Sequence, residues 1–272
     1  MTSRAANALA PRFAGVAQVV RFNWPFYAIA ALTISVGSLA AALAWPWFPV
    51  WAKLSSVAGL AAVAWWTLAS LVASHWIYDR SDWPRGCWIA RALGDSPVRR
   101  LLNVHAGFDE TTLHLRVWLP ETDVVALDLF DPVLMTERSI HRARLAGAPV
   151  PATLKASFNE WPCQPHSFDV VCFLLAAHEF RDRPQRRTLF SRAREALAVS
   201  PASCVLLVEH LRDAANFAAF GPGFLHFQAA STWHRDWQAA GLVEVDSFSI
   251  TPFLRLWKLK PEGTYPMTFR QQ

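Results

Sequence analysis

The stretch that most restricts the fold of this chain runs from Leu101 to Pro132, LLNVHAGFDETTLHLRVWLPETDVVALDLFDP. An apolar run at 101–104 breaks at a short turn, a helical segment follows, and a second apolar run ends on Asp128. This order is that of a nucleotide-binding βαβ unit, in which an acid about 20 residues past the turn accepts a ribose hydroxyl. The stretch therefore predicts a parallel sheet with a nucleotide site at its carboxyl edge.

The same residues resemble the cofactor end of class I S-adenosylmethionine-dependent methyltransferases, whose first strand runs into Asp-x-Gly-x-Gly-x-Gly. In this sequence Asn103 replaces the acid of that pattern, His105 replaces its first glycine and Asp109 its third. Gly107 matches the second glycine. Asp128-Leu129-Phe130-Asp131-Pro132 resembles the second motif of the family, in which the acid holds the ribose. The alternative is any doubly wound domain, because strand-turn-helix units are general and an acid after a strand is often a helix N-cap.

The resemblance extends over about residues 95–260. Ser157-Phe158-Asn159-Glu160-Trp161-Pro162 resembles the third motif, with Ser157 in place of the acid that contacts adenine, and Ser167-Phe168-Asp169-Val170-Val171 resembles the fourth strand. The strands after the first two are predicted at 152–156, 167–175, 204–208, 242–250 and 253–260, the fifth of the seven being followed by the ionisable pair Glu209-His210. A helix is predicted at 132–146, with Arg138, Arg142 and Arg144 exposed, and the aromatic segment at 216–227 is predicted to cover the substrate. The resemblance implies an α/β fold with a Rossmann-like seven-stranded methyltransferase sheet and S-adenosylmethionine as cofactor.

Candidate site residues follow from the same alignment. The cofactor-binding set is Asn103, His105, Gly107, Asp109, Glu110, Asp128 and Ser157, with Asp109 and Glu110 expected to accept the α-ammonium group. His178, Glu179 and His210 follow the fourth and fifth strands and are the catalytic candidates, since a histidine can take a proton from an oxygen acceptor. Each histidine could instead be a helix cap or a core residue. Histidine and glutamate are also metal donors, but no metal is predicted.

Two uncharged runs precede this domain. Residues 22–52 carry no charge, Lys53 interrupts, and residues 54–78 are again uncharged, so each run is long enough to span a bilayer. Pro46 and Pro49 separate them, and tryptophans lie near the span ends. These features predict a two-helix transmembrane hairpin at 22–78. A single signal peptide is shorter, and a buried helical pair in a soluble core is the other alternative.

The arginines around the hairpin predict its orientation. Three precede it, at Arg4, Arg12 and Arg21, three follow it, at Arg80, Arg85 and Arg91, and only Lys53 lies in the turn. The positive-inside rule then puts both termini in the cytoplasm, in a two-pass protein of the inner membrane. The predicted organisation is a tail at 1–21, the hairpin at 22–78, a juxtamembrane linker at 79–100, with a possible interfacial helix, and a methyltransferase-like domain at 101–272.

The composition of the chain limits the classes of partner that we expect. Hydrophobic residues make up 53% of the chain and charged residues 17%, which is apolar for a soluble protein. The net charge of +5 is spread out, without a lysine-rich tract, so nucleic acid is not expected as a partner. Four cysteines show no metal-type spacing, and Cys172 and Cys204 are predicted to be buried thiols. The lipid bilayer and a lipophilic small molecule are the expected partners.

Three functions are compatible with these patterns. The first is a membrane-anchored methyltransferase acting on a lipophilic acceptor, such as a phenol or an acyl-chain intermediate. The stretches HAGFDETT, AAHEF and EHLRD resemble a membrane-hairpin subgroup associated with bacterial aryl-polyene and related lipid pathways. The second is a catalytically inactive methyltransferase-like membrane scaffold or interaction protein, which the altered glycine turn and Ser157 favour. A dinucleotide oxidoreductase is disfavoured, because it needs glycines where His105 and Asp109 stand.

Overall fold

A computed structural model describes residues 12–147 and 150–263. The predicted positions Arg4 and the last nine residues of the 101–272 domain lie outside these ranges. The helices are α1 Ala14–Phe22, α2 Trp24–Ala44, α3 Val50–His75, α4 Cys87–Leu93, α5 Thr112–Trp118, α6 Arg138–Ala146, α7 Arg183–Ala196, α8 Ala214–Phe220 and α9 Ala230–Ala239. The strands are β1 Arg100–His105, β2 Asp123–Asp128, β3 Leu154–Lys155, β4 Val170–Leu174, β5 Cys204–His210, β6 Leu242–Thr251 and β7 Leu254–Pro261.

The described residues divide into two compact units. The first contains residues up to Pro84 together with Asp213–Phe224, and the second contains Arg85–Arg212 with the residues from Leu225 onward. The chain therefore leaves the second unit after β5, contributes α8 to the first unit, and returns before α9.

The first unit is built on α2 and α3, which are long and apolar enough to cross a membrane. Every residue of α2 is exposed or half-buried, including Phe26, Leu32 and Leu39 on its surface. The two helices approach closely at Gly37, where an added Cβ would lie 3.0 Å from Leu60 Cδ2. Small residues at such a position let helices pack through van der Waals contact, as in membrane helix pairs.

Two further elements pack on α3. A π-helical turn, Trp76–Arg80, extends α3, and the Asp79 carboxylate accepts the backbone N–H groups of Gly15 and Val16 at the start of α1. Just past the middle of α3, the α8 segment lies against this helix, where Trp65 Nε1 donates to the carbonyl of Ala218. Gly221, with φ of +54°, ends α8 against the ring of Trp66, which a Cβ would meet at 2.7 Å. The segment at 216–227, predicted from the sequence to cover the substrate, is thus helical in part and belongs in part to the apolar unit.

The second unit is a seven-stranded sheet in the order β3-β2-β1-β4-β5-β7-β6. Strands β1 to β5 are parallel, and β7 runs antiparallel to β5 and β6. All residues of β4 and β5 are buried, which explains why β4 and the first five residues of β5 are apolar in the sequence. The predicted Rossmann-like methyltransferase sheet, preceded by two apolar helices, is confirmed.

Tryptophan has two roles in the molecule. Trp24, Trp51 and Trp65 are exposed on the apolar helices, and Trp47 is exposed in the turn between them. Trp233, Trp237 and Trp257 are fully buried in the core of the second unit, where the rings of Trp237 and Trp257 meet at 5.6 Å. The tryptophans therefore belong partly to this core, whereas the sequence had suggested that they mark a membrane surface.

The element bounds differ from the predicted ones mainly where the chain turns. The third strand shrinks to two residues because Ala152, at its predicted start, has a left-handed φ of +62°. The helix predicted from Pro132 begins only at Arg138. The linker predicted at 79–100 contains α4, whose Trp88, Ile89 and Leu93 are buried in the second unit. Cys172 and Cys204 are buried free thiols, as predicted.

The contact at Gly37 generates a first prediction. Gly37→Leu places three further carbons beyond a Cβ that already touches Leu60, so it should destabilise the α2–α3 pair by about 1–3 kcal/mol through overpacking. Gly59→Leu is the matched control, because a Cβ at Gly59 meets no described atom within 4 Å. The thermal midpoint of the detergent-solubilised protein, followed by tryptophan fluorescence, should fall for the first variant only. Equal midpoints for both variants would contradict this packing.

Candidate functional site

The carboxyl ends of the parallel strands bring polar residues to one edge of the sheet. β1 ends on His105 and β2 ends on Asp128, which are neighbours in the strand register. β4 leads through Leu175 to His178 and Glu179, and β5 ends on Glu209 and His210. Ligands of open α/β sheets bind at this edge.

The turn after β1 is held by two side chains. Asn103 Nδ2 donates to the hydroxyls of Thr111 and Thr112, at 2.9 and 2.8 Å. Asp109 Oδ1 accepts the backbone N–H groups of the same two threonines, at 3.1 and 2.8 Å, and so satisfies donors at the start of α5. Asn103 and Asp109 thus replace the acid and the glycine of the family pattern with a hydrogen-bonded turn.

Gly107 is required here by conformation and by space. Its φ of +99° lies in the left-handed region, and a Cβ would be 2.5 Å from the ring of Phe130. The Phe130 ring, from the loop that follows β2, therefore fills the space beside Gly107.

His105 lies between two carboxylates without bonding to either. Its Nε2 is 3.8 Å from Asp109 Oδ2 and its Nδ1 is 3.7 Å from Asp128 Oδ1, both too long for a hydrogen bond. Within the described ranges, both ring nitrogens of His105 and Asp109 Oδ2 are buried without a hydrogen-bond partner. Burial lowers the pKa of His105, in spite of the two carboxylates that raise it, so the ring is neutral.

Glu110 is a second acid in this turn with an altered charge. Burial and the neighbouring Asp109 raise the pKa of Glu110 to about 7, against a smaller lowering effect of His178. A cation that entered the turn would favour the ionised form of Glu110.

Asp128 is already occupied by partners from the chain. Its Oδ1 accepts the backbone N–H of Phe130 at 3.0 Å, and its Oδ2 pairs with Arg144 Nη1 at 2.6 Å. Arg144 also donates to the carbonyl of Gly107 and lies 4.5 Å from the centre of the Phe130 ring. Arg144 was predicted to be exposed on its helix; instead its side chain is two-thirds buried at the predicted ribose position.

The most strongly bonded group at the edge is His178. Glu209, fully buried on β5, accepts both the backbone N–H of His178 at 3.1 Å and its Nδ1 at 2.7 Å. His178 Nε2 faces Glu179 Oε1 at 3.5 Å. Burial alone would lower the pKa of His178, but the charge of Glu209 and the bonds to both glutamates outweigh it and raise the pKa to about 10. His178 is therefore an imidazolium at neutral pH.

His226, in the second unit, completes the cluster from the last position of a 3-10 segment. Its ring centre is 5.0 Å from that of His178. Burial, together with the charges of His178 and Arg181, lowers the pKa of His226 to about 3. Arg181 donates to the His226 carbonyl at 2.7 Å, contacts its ring, and pairs with Glu137 at 3.2 Å. A neutral and a cationic imidazole thus face each other.

Three donors of this cluster could hold a metal ion. One ligand atom each from His178, Glu179 and His226 lies within 4.8 Å of the others. Two imidazoles and a carboxylate suit zinc or iron. The Arg181 guanidinium, however, already brings a positive charge to the His226 ring. The expectation of no metal stays a prediction.

The loop that carries His178 and Glu179 is fixed from two sides. Leu175, which precedes it, has a left-handed φ of +57°, a conformation that costs free energy in a residue with a side chain. The loop ends at Phe180, whose carbonyl accepts from buried Arg186 at 3.0 Å, and Arg186 is itself paired with fully buried Asp236 at 2.7 Å. An ion pair between α7 and α9 thus positions the site loop.

His210 and Ser157, which were both predicted as site residues, contact different neighbours. The His210 ring stacks on Phe227, at a centroid distance of 4.6 Å, and Phe227 also meets the His178 ring edge-on. Ser157 is exposed, and its hydroxyl donates to Asn159 Oδ1 at 2.8 Å. His210 thus shares an aromatic neighbour with His178, whereas Ser157 bonds locally in its own loop.

Sequence reasoning missed four residues of this edge. Glu209 was noted only as half of an ionisable pair, His226 was part of an aromatic segment, and Arg181 and Arg144 were ordinary helix or loop arginines. Only Glu209 carried a signal, since an acid that ends a fully apolar strand must have a buried partner. Nothing in the sequence distinguishes Arg144 from Arg138 or Arg142 on the same helix.

Comparisons with known proteins agree on the fold. The chain matches no protein-family model and no curated protein. The solved structure of the mitomycin 7-O-methyltransferase MmcR is 16% identical, with a TM-score of 0.53 over 95% of this chain and 76% of that one. A SAM-dependent methyltransferase from Aquifex aeolicus is 12% identical, with a TM-score of 0.47 over 71% and 97% of the two chains. A SAM-dependent methyltransferase from Leishmania major is 18% identical, with a TM-score of 0.45 over 64% and 70%. The likeness to MmcR supports the methyltransferase fold.

The buried pair of His178 and Glu209 generates a second prediction. Glu209→Gln should lower the pKa of His178 and destabilise the protein by about 3–5 kcal/mol at pH near 6, because it leaves a buried cation without its partner. The folded-state pKa of His178 is raised, so its stabilising contribution is full below its unfolded value and declines as pH rises toward 10. Denaturant unfolding should therefore show a smaller penalty at pH 9 than at pH 6. A penalty independent of pH would argue against a charged His178.

Proposed function

We propose that the protein is a membrane-anchored S-adenosylmethionine-dependent methyltransferase that methylates an oxygen atom of a lipophilic acceptor, such as a phenol or an acyl-chain intermediate. The observation that carries this proposal is the set of buried, unpartnered acceptor atoms beside a fixed imidazolium at the carboxyl edge of a methyltransferase sheet. The fold alone does not select the reaction. The site must do so.

The acceptor atoms that have no partner in the described part of the chain fit the cofactor. Asn103 Oδ1, Asp109 Oδ2 and Glu179 Oε2 are buried acceptors without a partner among the described residues. Such atoms cost free energy unless a ligand satisfies them, and a ligand with positive charge suits them best. S-adenosylmethionine, when bound, supplies an electrophilic methyl group on a sulfonium and carries an α-ammonium group. Asp109 and Glu110 would hold the ammonium, while Asp128 would accept the ribose hydroxyls and His105 and Gly107 would line the turn.

The cluster after β4 suits an anionic oxygen. Glu209 binds Nδ1 of His178, so that the other ring nitrogen, Nε2, faces Glu179. The His226 ring lies beside the His178 ring. A fixed imidazolium can donate a hydrogen bond to a phenolate or carboxylate and orient it for in-line displacement, where positioning supplies most of the rate. Glu179 and His210 remain the further catalytic candidates, Glu179 because its Oε2 is unpartnered in the described structure.

The apolar helices support the membrane part of the proposal. Large side chains such as Phe26, Leu39, Trp51 and Leu68 are each more than 60% exposed on α2 and α3. A soluble monomer rarely exposes so large an apolar surface, whereas lipid covers it without cost. Arginines flank both ends of the helical pair, which favours a two-pass protein of the inner membrane with both termini cytoplasmic. A place beside a bacterial aryl-polyene or related lipid pathway is part of this proposal.

A second candidate is an inactive methyltransferase-like membrane scaffold. It is favoured by two observations: Arg144 occupies the carboxylate expected to hold ribose, and Ser157 is bonded to Asn159 where the family has an acid. A scaffold needs no cofactor. Binding of the cofactor therefore separates the two candidates.

Calorimetry tests the cofactor. The detergent-solubilised full chain should bind S-adenosylmethionine, and Asp128→Ala should weaken binding by about 1–3 kcal/mol, the scale of a lost ionised hydrogen-bonding partner. Asp131→Ala is the matched control, since Asp131 accepts the backbone N–H groups of Val133 and Leu134 in its own loop. If neither the natural chain nor the control binds S-adenosylmethionine, the scaffold is the better account.

Membrane fractionation tests the anchor. The natural chain should stay in the membrane pellet after alkaline carbonate and be released by detergent. Arginines at Leu32 and Leu39, in the middle of α2, should reduce insertion, because each costs about 2.5–3.5 kcal/mol at a helix centre. The control carries arginines at Leu113 and Val117, which are equally exposed on α5 in the second unit. A natural chain that is monomeric and soluble without detergent would refute the anchor.

A further inference from the structure

Each oxygen of the Asp128 carboxylate already accepts one hydrogen bond from the chain. Oδ1 is committed to the backbone N–H of Phe130, which fixes the loop after β2. Oδ2 is the atom that Arg144 Nη1 contacts at 2.6 Å. A carboxylate oxygen can accept more than one hydrogen bond, but a ligand hydroxyl that approached Oδ2 would meet the guanidinium that is already in contact with it.

Arg144 is suited to leave this position. Its side chain is one-third exposed, while that of Asp128 is 6% exposed, so the arginine is the more mobile partner of the pair. Its other contacts, with the Gly107 carbonyl at 3.2 Å and the face of Phe130 at 4.5 Å, do not involve Asp128. They can keep the arginine nearby after the carboxylate is released.

The pair also explains how a buried carboxylate is tolerated without a ligand. An ionised Asp128 without a partner would carry a desolvation cost of several kcal/mol. Arg144 supplies the missing charge in the absence of ligand, and a ribose supplies hydrogen bonds in its presence.

We propose that Arg144 is a displaceable occupant of the ribose position, so that the adenosyl group binds only when the arginine has released Asp128 Oδ2. This rests on the proposed function in one respect, namely that an adenosyl cofactor binds this edge. Arg144 then lowers the apparent affinity of the protein for the cofactor. A site that is competent for only a fraction of the time has its apparent affinity reduced by that fraction.

Calorimetry with S-adenosylhomocysteine, which lacks the sulfonium charge, tests this in the full chain. Arg144→Met keeps the apolar stem and removes the competitor, so it should bind the ligand about tenfold more tightly. Arg144→Lys keeps a cation and should bind close to the natural protein. Arg138→Met, which removes the same charge from an exposed position of α6, should change nothing.

Salt dependence gives a second readout that a merely structural arginine would not show. The partly exposed pair is screened as salt rises from about 0.05 to about 0.5 M, so the natural protein should bind S-adenosylhomocysteine more tightly at high salt. Arg144→Met should lose this dependence. Its circular dichroism spectrum establishes that it is folded.

The outcomes separate the inference from the proposed function. Binding to Arg144→Met that is equal to or weaker than binding to the natural chain overturns the inference while leaving the cofactor in place, because Arg144 would then support Asp128. Binding to Arg144→Met alone supports it in its strongest form. An absence of binding to the natural chain and to all three variants overturns both, and favours the scaffold.

Discussion

Burial of the Glu209 carboxylate is the constraint on which the edge of this sheet depends. Glu209 lies at the end of a strand that is buried on both faces, and its own side chain is fully buried. An isolated charge there would cost several kcal/mol, so the residue requires a cation in contact with it. His178 is that cation, at 2.7 Å, and the pairing fixes the direction in which its Nε2 points. The pair therefore orients the loop after β4 as well as stabilising a charge.

The second buried acid of the edge, Asp128, has its charge satisfied in another way. Its partner, Arg144, comes from a surface helix and keeps one-third of its side chain in solvent. A pair of this kind exchanges partners more readily than the fully buried one, because water can replace either contact. The departures at the glycine turn agree with this: Asn103 and Asp109 tie down the turn by themselves, and Phe130 fills the space at Gly107. The turn is an organised variant of the family pattern.

The sequence predicted the central strands β4 and β5 because they are buried on both faces and therefore consist mostly of apolar residues. It predicted the uncharged helices for a similar reason. It did not predict that the segment around Asn216 and Phe217 would belong to the apolar unit, since contact with α3 leaves no periodic signal in seven residues. The sequence did not reveal the contact of Arg144 with Asp128, because an arginine that binds a carboxylate of the same chain has the same sequence pattern as a solvated arginine. It placed His178 at the right edge, but the partner that fixes its charge is 31 residues away.

The charge of His178 changes what the site can do with an acceptor. A free histidine near neutrality is a general base, and the sequence offered His178 in that role. With a pKa of about 10 it already holds its proton, so it cannot take another from a neutral phenol. It can instead stabilise an oxygen that is already anionic, and a negative charge there makes that oxygen the better nucleophile toward a methyl group. In the methyltransferase that we propose, this charge would favour acidic acceptors: a carboxylate, or a phenol whose pKa the imidazolium lowers, fits such a site, whereas an aliphatic alcohol would need a base that His178 in this state does not provide.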